Sequence, residues 1–307
     1  MKLNKIKLAL GFVTAAAMAM PIVASAAADQ EKAMSNSANW AHPRGQHDNQ
    51  AYSKLTQVNK GNVKNLKAAW TLSTGVNRGH EGSPLVIGNM LYVHTAFPNN
   101  VYALDLNNNQ KVVWSYFPKQ DPSVQAVLCC DNVNRGLGFG NGKIFLQQND
   151  GNLVALNAKT GAKVWSTSNV DPKVGATNTN APHVINDKVL TGCSGAEFGV
   201  RCFIAAYNIE DGSLAWKAMS TGPDSEVLIG ADFNKENPLY SALSVYEDVN
   251  GGNTEGGSFK RIPNDQLQGG VADLGLKTWL KPQAVKDGWQ HGGGSVWGWW
   301  PYDAKTN

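Results

Sequence analysis

The chain has 307 residues and a formal charge of +3, with only 17% of its residues charged. Three of the cations, Lys2, Lys5 and Lys7, stand at the N-terminus, so the rest of the chain is near neutral and lacks the basic excess of a nucleic-acid binder. The length allows a sizeable core, and 32 Gly and 10 Trp favour turn-rich β-structure over helices.

In chain order, the first element is a targeting segment. The three lysines precede an apolar run from Leu8 to Val23, broken by Pro21, and Ala24-Ser25-Ala26 is a small-residue cleavage sequence. This predicts a signal peptide over residues 1–26 and export of the remainder. The apolar run is short for an anchoring helix, and no later stretch is apolar enough to span a bilayer, so no stable membrane insertion is expected. Four cysteines suit an oxidising compartment and can all pair.

Residues 27–307 form the folding unit, and three segments of it repeat. The first runs from Pro84 to His94, then Val101 to Leu106, a polar turn, and Val112-Val-Trp114. The second runs from Gly140 to Leu146, then Leu153 to Gly161, and Lys163-Val-Trp165. The third runs from His183 to Leu190, then Ile204 to Gly212, and Leu214-Ala-Trp216. Gly88-Asn89, Asn141-Gly142 and Asn186-Asp187 read as hairpin turns, with second turns at Thr160-Gly161 and Asp211-Gly212. A period of about fifty residues with several strands per unit predicts an all-β propeller, its terminal Trp packing between neighbouring blades.

Asn62 to Trp70 reads as the last strand of an earlier unit. Residues 233–290 break the rhythm, are rich in Gly, Asn and Pro, and read as an irregular excursion. Tyr302 to Asn307 reads as the start of another repeat, so the chain is expected to be part of a longer protein.

Four motifs bear on chemistry. Gly136-Leu-Gly-Phe-Gly-Asn-Gly142 has the wrong spacing for a phosphate loop and reads as a β-turn. Cys129-Cys130 is either a strained vicinal disulfide or two reduced, buried thiols, with Arg135 close by in sequence. Cys193-Ser-Gly-Ala-Glu197 offers a carboxylate either to a hard cation or to solvent. Gly292-Gly-Gly-Ser-Val-Trp-Gly-Trp-Trp300 offers either a flat stacking face or a core aromatic cluster under a Gly-rich turn. The six histidines show no metal-ligand spacing; His80, beside Glu81, is the one near a candidate site.

Together, Arg78-Gly-His-Glu-Gly-Ser-Pro84, Cys129-Cys-Asp-Asn-Val-Asn-Arg-Gly136, Ser194-Gly-Ala-Glu-Phe-Gly-Val-Arg201 and Gly292 to Trp299 resemble the pyrroloquinoline quinone (PQQ)-dependent alcohol dehydrogenases, most closely the methanol dehydrogenases. The resemblance implies an eight-bladed propeller, about half of it present here. It implies a PQQ cofactor between a Cys129–Cys130 disulfide and Trp297. Arg135 would pair with this anionic group, and Thr179, Ser194, Gly195, Ala196 and Ser295 would bond its rim. Glu81 would lie beside a cofactor carboxylate, so that one of the two carries a proton. Glu197 would ligate a calcium or lanthanide ion acting as Lewis acid.

The implied function is periplasmic oxidation of methanol or another short primary alcohol, with electrons passing to a cytochrome c. The resemblance also allows a homodimer or a small-subunit partner. The family's base, an Asp, would lie beyond Asn307, so these residues alone are expected to be inactive. Cys193 and Cys202 stand where the family has Ser and Gly, which allows a second disulfide bracing the Glu197 loop. The competing reading is a non-enzymatic periplasmic propeller scaffold of the outer-membrane assembly type, which explains the repeats but not the motifs.

Overall fold

A computed structural model describes residues 23–128, 130–222, 226, 246–248, 259–261 and 292–305. Its core is three four-stranded antiparallel sheets in sequence order, the blades of a β-propeller. The first contains β2 (Leu85–Ile87), β3 (Met90–His94), β4 (Val101–Asp105) and β5 (Lys111–Tyr116). The second contains β6 (Asn134–Gly140), β7 (Lys143–Gln147), β8 (Asn152–Asn157) and β9 (Lys163–Ser168). The third contains β10 (His183–Ile185), β11 (Lys188–Thr191), β12 (Phe203–Asn208) and β13 (Leu214–Met219). These blades fall on the three repeats expected from sequence. A further strand, β1 (His80–Ser83), pairs in parallel with β6.

The repeat recurs in the details of pairing. Trp114, Trp165 and Trp216 stand opposite Ala103, Ala155 and Ala206, and beside each pairing the register shifts, with Val113, Val164 and Ala215 as the extra residue on the outer strand. Such a bulge adds twist, which turns each outer strand toward the next blade. There the indole N–H finds a carbonyl: Trp114 Nε1 donates to Ala158 O at 3.0 Å and Trp165 Nε1 to Ile209 O at 3.1 Å. The rings lie against Gly161 and Gly212, whose φ values of 72° and 71° belong to the second turns. Trp216, 39% exposed, has no following blade among the described residues.

Several segments differ from the sequence expectation. Gly136 to Gly140 is strand rather than turn, and only Asn141-Gly142 turns, with φ of 47° and 63°. The glycines let β6 lie close to the chain entering blade three: a Cβ on Gly138 would stand 2.7 Å from Pro182 O. Asn62 to Trp70 forms no strand. It holds a short 3-10 turn at Val63–Asn65 and leaves Val63, Leu66 and Trp70 exposed, because no described strand offers it a ladder.

One helix, α1 (Val23–Ser35), departs from an all-β chain. Its Ala-rich sequence favours helix. Ala33 and Met34 pack into the core of the first two blades, and the Asp29 carboxylate accepts the backbone N–H groups of Asn141 and Gly142, both at 2.8 Å. The first 22 residues of the predicted signal peptide lie outside the described residues, as does most of the 233–290 excursion. Within the latter, β14 (Tyr246–Asp248) pairs antiparallel with β15 (Phe259–Arg261). No described helix is long and apolar enough to cross a membrane.

The packing of tryptophan on glycine gives a prediction. A Cβ at Gly161 or Gly212 would come within 2.6 Å of an indole and would also occupy a left-handed φ. Gly75 has a similar φ of 73° but nothing within 4 Å. In urea unfolding of the full-length protein, Gly75→Ala should cost about 1 kcal/mol. Gly161→Ala and Gly212→Ala should each cost about 2–4 kcal/mol. Equal losses at all three positions would show that the Trp–Gly contact does not hold the blades.

Candidate cofactor site

The site is built where β1, β6, the Thr177–Asn180 connection and the loop after β11 meet the segment 292–305. Parallel pairing of β1 with β6 aligns His80 with Asn134 and Ser83 with Gly136, which brings Glu81 alongside Arg135. Arg135 Nη2 lies 3.1 Å from Glu81 Oε2. Its Nη1 and its backbone N–H both donate to Thr179 O, at 3.1 and 3.2 Å. The Arg135 guanidinium also lies over the Trp297 ring, 4.5 Å from its centroid.

Arg135 is 5% exposed, Glu81 42% and Trp297 47%. The cation is therefore buried while the carboxylate and the indole remain partly exposed. The Arg135 guanidinium supplies a countercharge at Glu81. A second carboxylate arriving there meets the Glu81–Arg135 ion pair rather than a lone carboxylate.

Thr179 and Ser194 are buried, and their hydroxyls lie 2.7 Å apart. Thr177 and Ser194 exchange backbone hydrogen bonds at 2.9 and 3.1 Å, joining the connection to the loop after β11. Gly195, with φ 115°, opens a short 3-10 turn over Ala196–Phe198, which carries Glu197 exposed. Ala196 N–H donates to Ser295 Oγ at 3.2 Å, so this pair holds loop to segment rather than standing free for a ligand rim. Trp299 Nε1 donates to Arg135 O at 3.2 Å, and the Arg44 guanidinium covers the Trp299 ring at 5.3 Å.

The structure thus gathers Glu81, Arg135, Thr179, Ser194, Gly195, Ala196, Glu197, Ser295 and Trp297 from segments far apart in sequence. Cys129 lies outside the described residues, so its pairing with Cys130 is not visible. Cys130 is exposed and opens three consecutive left-handed residues, with φ of 59°, 62° and 70° through Asn132. The Arg78–Asp131 ion pair at 3.1 Å holds this turn. Cys193 and Cys202 form a disulfide, Cα atoms 5.5 Å apart and both residues fully buried.

The donor set fits an anionic, planar, polar-rimmed ligand. A buried guanidinium faces an accessible indole, and beside Thr179 the buried Thr177 Oγ1 and both side-chain polar atoms of Asn180 have no hydrogen-bond partner. The Glu197 carboxylate suits a hard cation as one oxygen ligand, but no group of three carboxylate, histidine or cysteine side chains gathers among the described residues.

Beside the site lies a cluster that sequence spacing did not reveal. His42 Nε2 and His183 Nδ1 are 3.3 Å apart, Trp300 covers His183, and Tyr302 packs edge-on to His47. It ties the N-terminal segment and blade three to the segment carrying Trp297. Burial pulls His42 down to about 2, helped by the charges of His183 and His47. It pulls His183 to about 3, with a contribution from His47. Burial also lowers His94 to about 4, against the pull of its hydrogen bond to Asn134 O.

Each of these rings is neutral when folded and takes a proton near pH 6.5 when unfolded. Their stabilisation is complete above pH 6.5 and falls as pH drops toward the folded values, by up to about 1.4 kcal/mol per pH unit for each histidine. Unfolding free energies measured between pH 7 and 4.5 should show this fall. A His94→Gln variant should show a slope shallower by one proton, and an unchanged slope would contradict the buried neutral His94.

Comparison with known proteins agrees with this geometry. Residues 40–237 match the family model described as the PQQ glucose/ethanol/alcohol dehydrogenase β-propeller domain. Over 88% of the chain there is 44% identity to methanol dehydrogenase (cytochrome c) subunit 1 of Methylorubrum extorquens, of which the match covers 38%. Over 90% of the chain there is 45% identity to a lanthanide-dependent methanol dehydrogenase of the same organism, with 40% of it covered. A solved europium-containing methanol dehydrogenase superposes with a TM-score of 0.74 at 41% identity, covering 91% of this chain and 42% of that one. The chain therefore spans less than half the length of these relatives. The match runs through all three blades and the polar rim between them, and on it the chain belongs to the β-propeller family of PQQ glucose, ethanol and alcohol dehydrogenases.

Proposed function

We propose that residues 27–307 form the cofactor-holding part of a periplasmic, eight-bladed quinoprotein that oxidises methanol or another short primary alcohol. Residues 1–26 direct its export, and its electrons pass to a cytochrome c. The observation that carries this reading is the Arg135 guanidinium, buried, paired with Glu81 and lying over the ring of the partly exposed Trp297. A fork of fixed donors beside a flat apolar plate suits a planar polycarboxylate better than a sugar or a peptide. A scaffold propeller has no need for such a slot.

In this reading Trp297 forms one wall and a Cys129–Cys130 disulfide the other. Arg135 binds a carboxylate of the cofactor, with Glu81 fixing the fork. The Thr179 and Ser194 hydroxyls hydrogen-bond the rim. Gly195 and Ala196 shape the rim backbone, which Ser295 secures. Glu197 is one ligand of a calcium or lanthanide ion. Bound PQQ with its metal supplies the hydride acceptor and the Lewis acid. The names of the relatives, which include a cytochrome c-linked subunit 1 and a lanthanide-dependent enzyme, support the electron acceptor, the metal classes and a further subunit.

The full-length protein, loaded with PQQ and either calcium or a lanthanide, should reduce an artificial acceptor with methanol or another short alcohol. No turnover with any primary alcohol and either metal would overturn the reading. Glu197→Ala should lower metal-dependent turnover by more than the ~10–100-fold typical of an outer-shell residue, with an unchanged circular dichroism spectrum. Unchanged turnover would remove Glu197 from the metal site.

A further inference from the structure

We infer that the Cys193–Cys202 disulfide is a positioning clamp that sets the metal-side loop against the stacking wall. The inference rests on the proposed function for what the loop and the wall bind. The cross-link joins the residues flanking the loop that carries Ser194, Gly195, Ala196 and Glu197. The same two residues hold the segment of Trp297 through their backbones. Val296 N–H donates to Cys193 O at 2.8 Å, and Cys202 N–H donates to Gly293 O at 3.2 Å.

Between these two contacts lies Ser295, whose hydroxyl accepts the Ala196 N–H from inside the loop. Gly293 N–H closes the set by donating to Val200 O at 3.0 Å. Loop and segment therefore share one frame, with the disulfide at its base, Glu197 on one arm and Trp297 one residue beyond the other.

Beyond this frame, the loop is held by the Thr177–Ser194 backbone pair, the Thr179–Ser194 hydroxyl contact and the packing of Phe198 on Gly175. It is a single short turn between two left-handed glycines, Gly195 and Gly199, and the residues from Glu197 to Gly199 are exposed. Few buried apolar contacts and short-range hydrogen bonds mark a segment that opens locally at low free energy. A cross-link at the loop base removes open conformations, and a metal or cofactor that requires the closed one binds tighter by the same factor. Both sulfurs are fully buried within the apolar core of blades two and three, so the clamp is permanent rather than a switch exposed to reductants. Each blade keeps its own strand ladders without it.

The experiment compares the full-length parent with two double variants, Cys193→Ala/Cys202→Ala and Cys193→Val/Cys202→Ala, the second restoring core volume. Hydrogen exchange reads the loop directly without ligand. Amides of Ala196, Phe198, Val200 and Val296 should exchange at least tenfold faster in the variants, while amides of β7 and β8 stay within twofold. Tryptophan-sensitised terbium luminescence, with PQQ present, reads metal affinity, which should weaken at least tenfold. Loop exchange and terbium affinity both within twofold of the parent, with only the thermal midpoint lowered, would overturn the clamp. Failure of both variants to fold would also overturn it, since the disulfide would then serve the fold. A parent that binds neither terbium nor PQQ would refute the proposed function and the ligand role of the clamp together, and loop exchange would still report whether the disulfide restrains the loop.

Discussion

A guanidinium withdrawn from water must recover in charge and hydrogen bonds what it loses in hydration, or the fold around it fails. Arg135 meets that demand with Glu81 on one arm, the Thr179 carbonyl on the other and the Trp297 π-face across its plane. Each partner comes from a different part of the chain. The parallel strand β1 brings Glu81, the connection between blades two and three brings Thr179, and the segment after the excursion brings Trp297. Satisfying one buried cation thus obliges four segments to meet, and their meeting point is the candidate cofactor site.

The blades supply the rigid frame for that meeting. Indole N–H groups reaching the next blade's turn fix how far one sheet can rotate against its neighbour. The same angle sets the separation between β6, with Arg135, and the loop after β11, with Glu197. Function is carried on the connections while the strands hold them in place, the usual division of labour in a propeller.

The blades could be read from sequence because their signal is local and repeated: a turn pair, alternating apolar residues, a second turn and a Trp. The members of the site could be named from motifs, but their mutual geometry could not. The Glu81–Arg135 pair spans 54 positions and depends on a parallel pairing that leaves no periodic trace. The His42–His183 contact spans 141 residues and was invisible to any spacing rule. In the Gly136–Gly140 run glycine marks both turns and close backbone approach alike, and only packing against Pro182 distinguishes the two. In the run Thr177-Asn-Thr-Asn180 only Thr179 is named by a motif, although all four polar residues of this connection between blades are buried in the fold.

The most direct test of the central claim is a crystal structure of the full-length protein with PQQ bound. The account predicts the quinone plane stacked on Trp297 and one of its carboxylates paired with the Arg135 guanidinium. A quinone bound away from Trp297, or an Arg135 that contacts Glu81 alone, would contradict it.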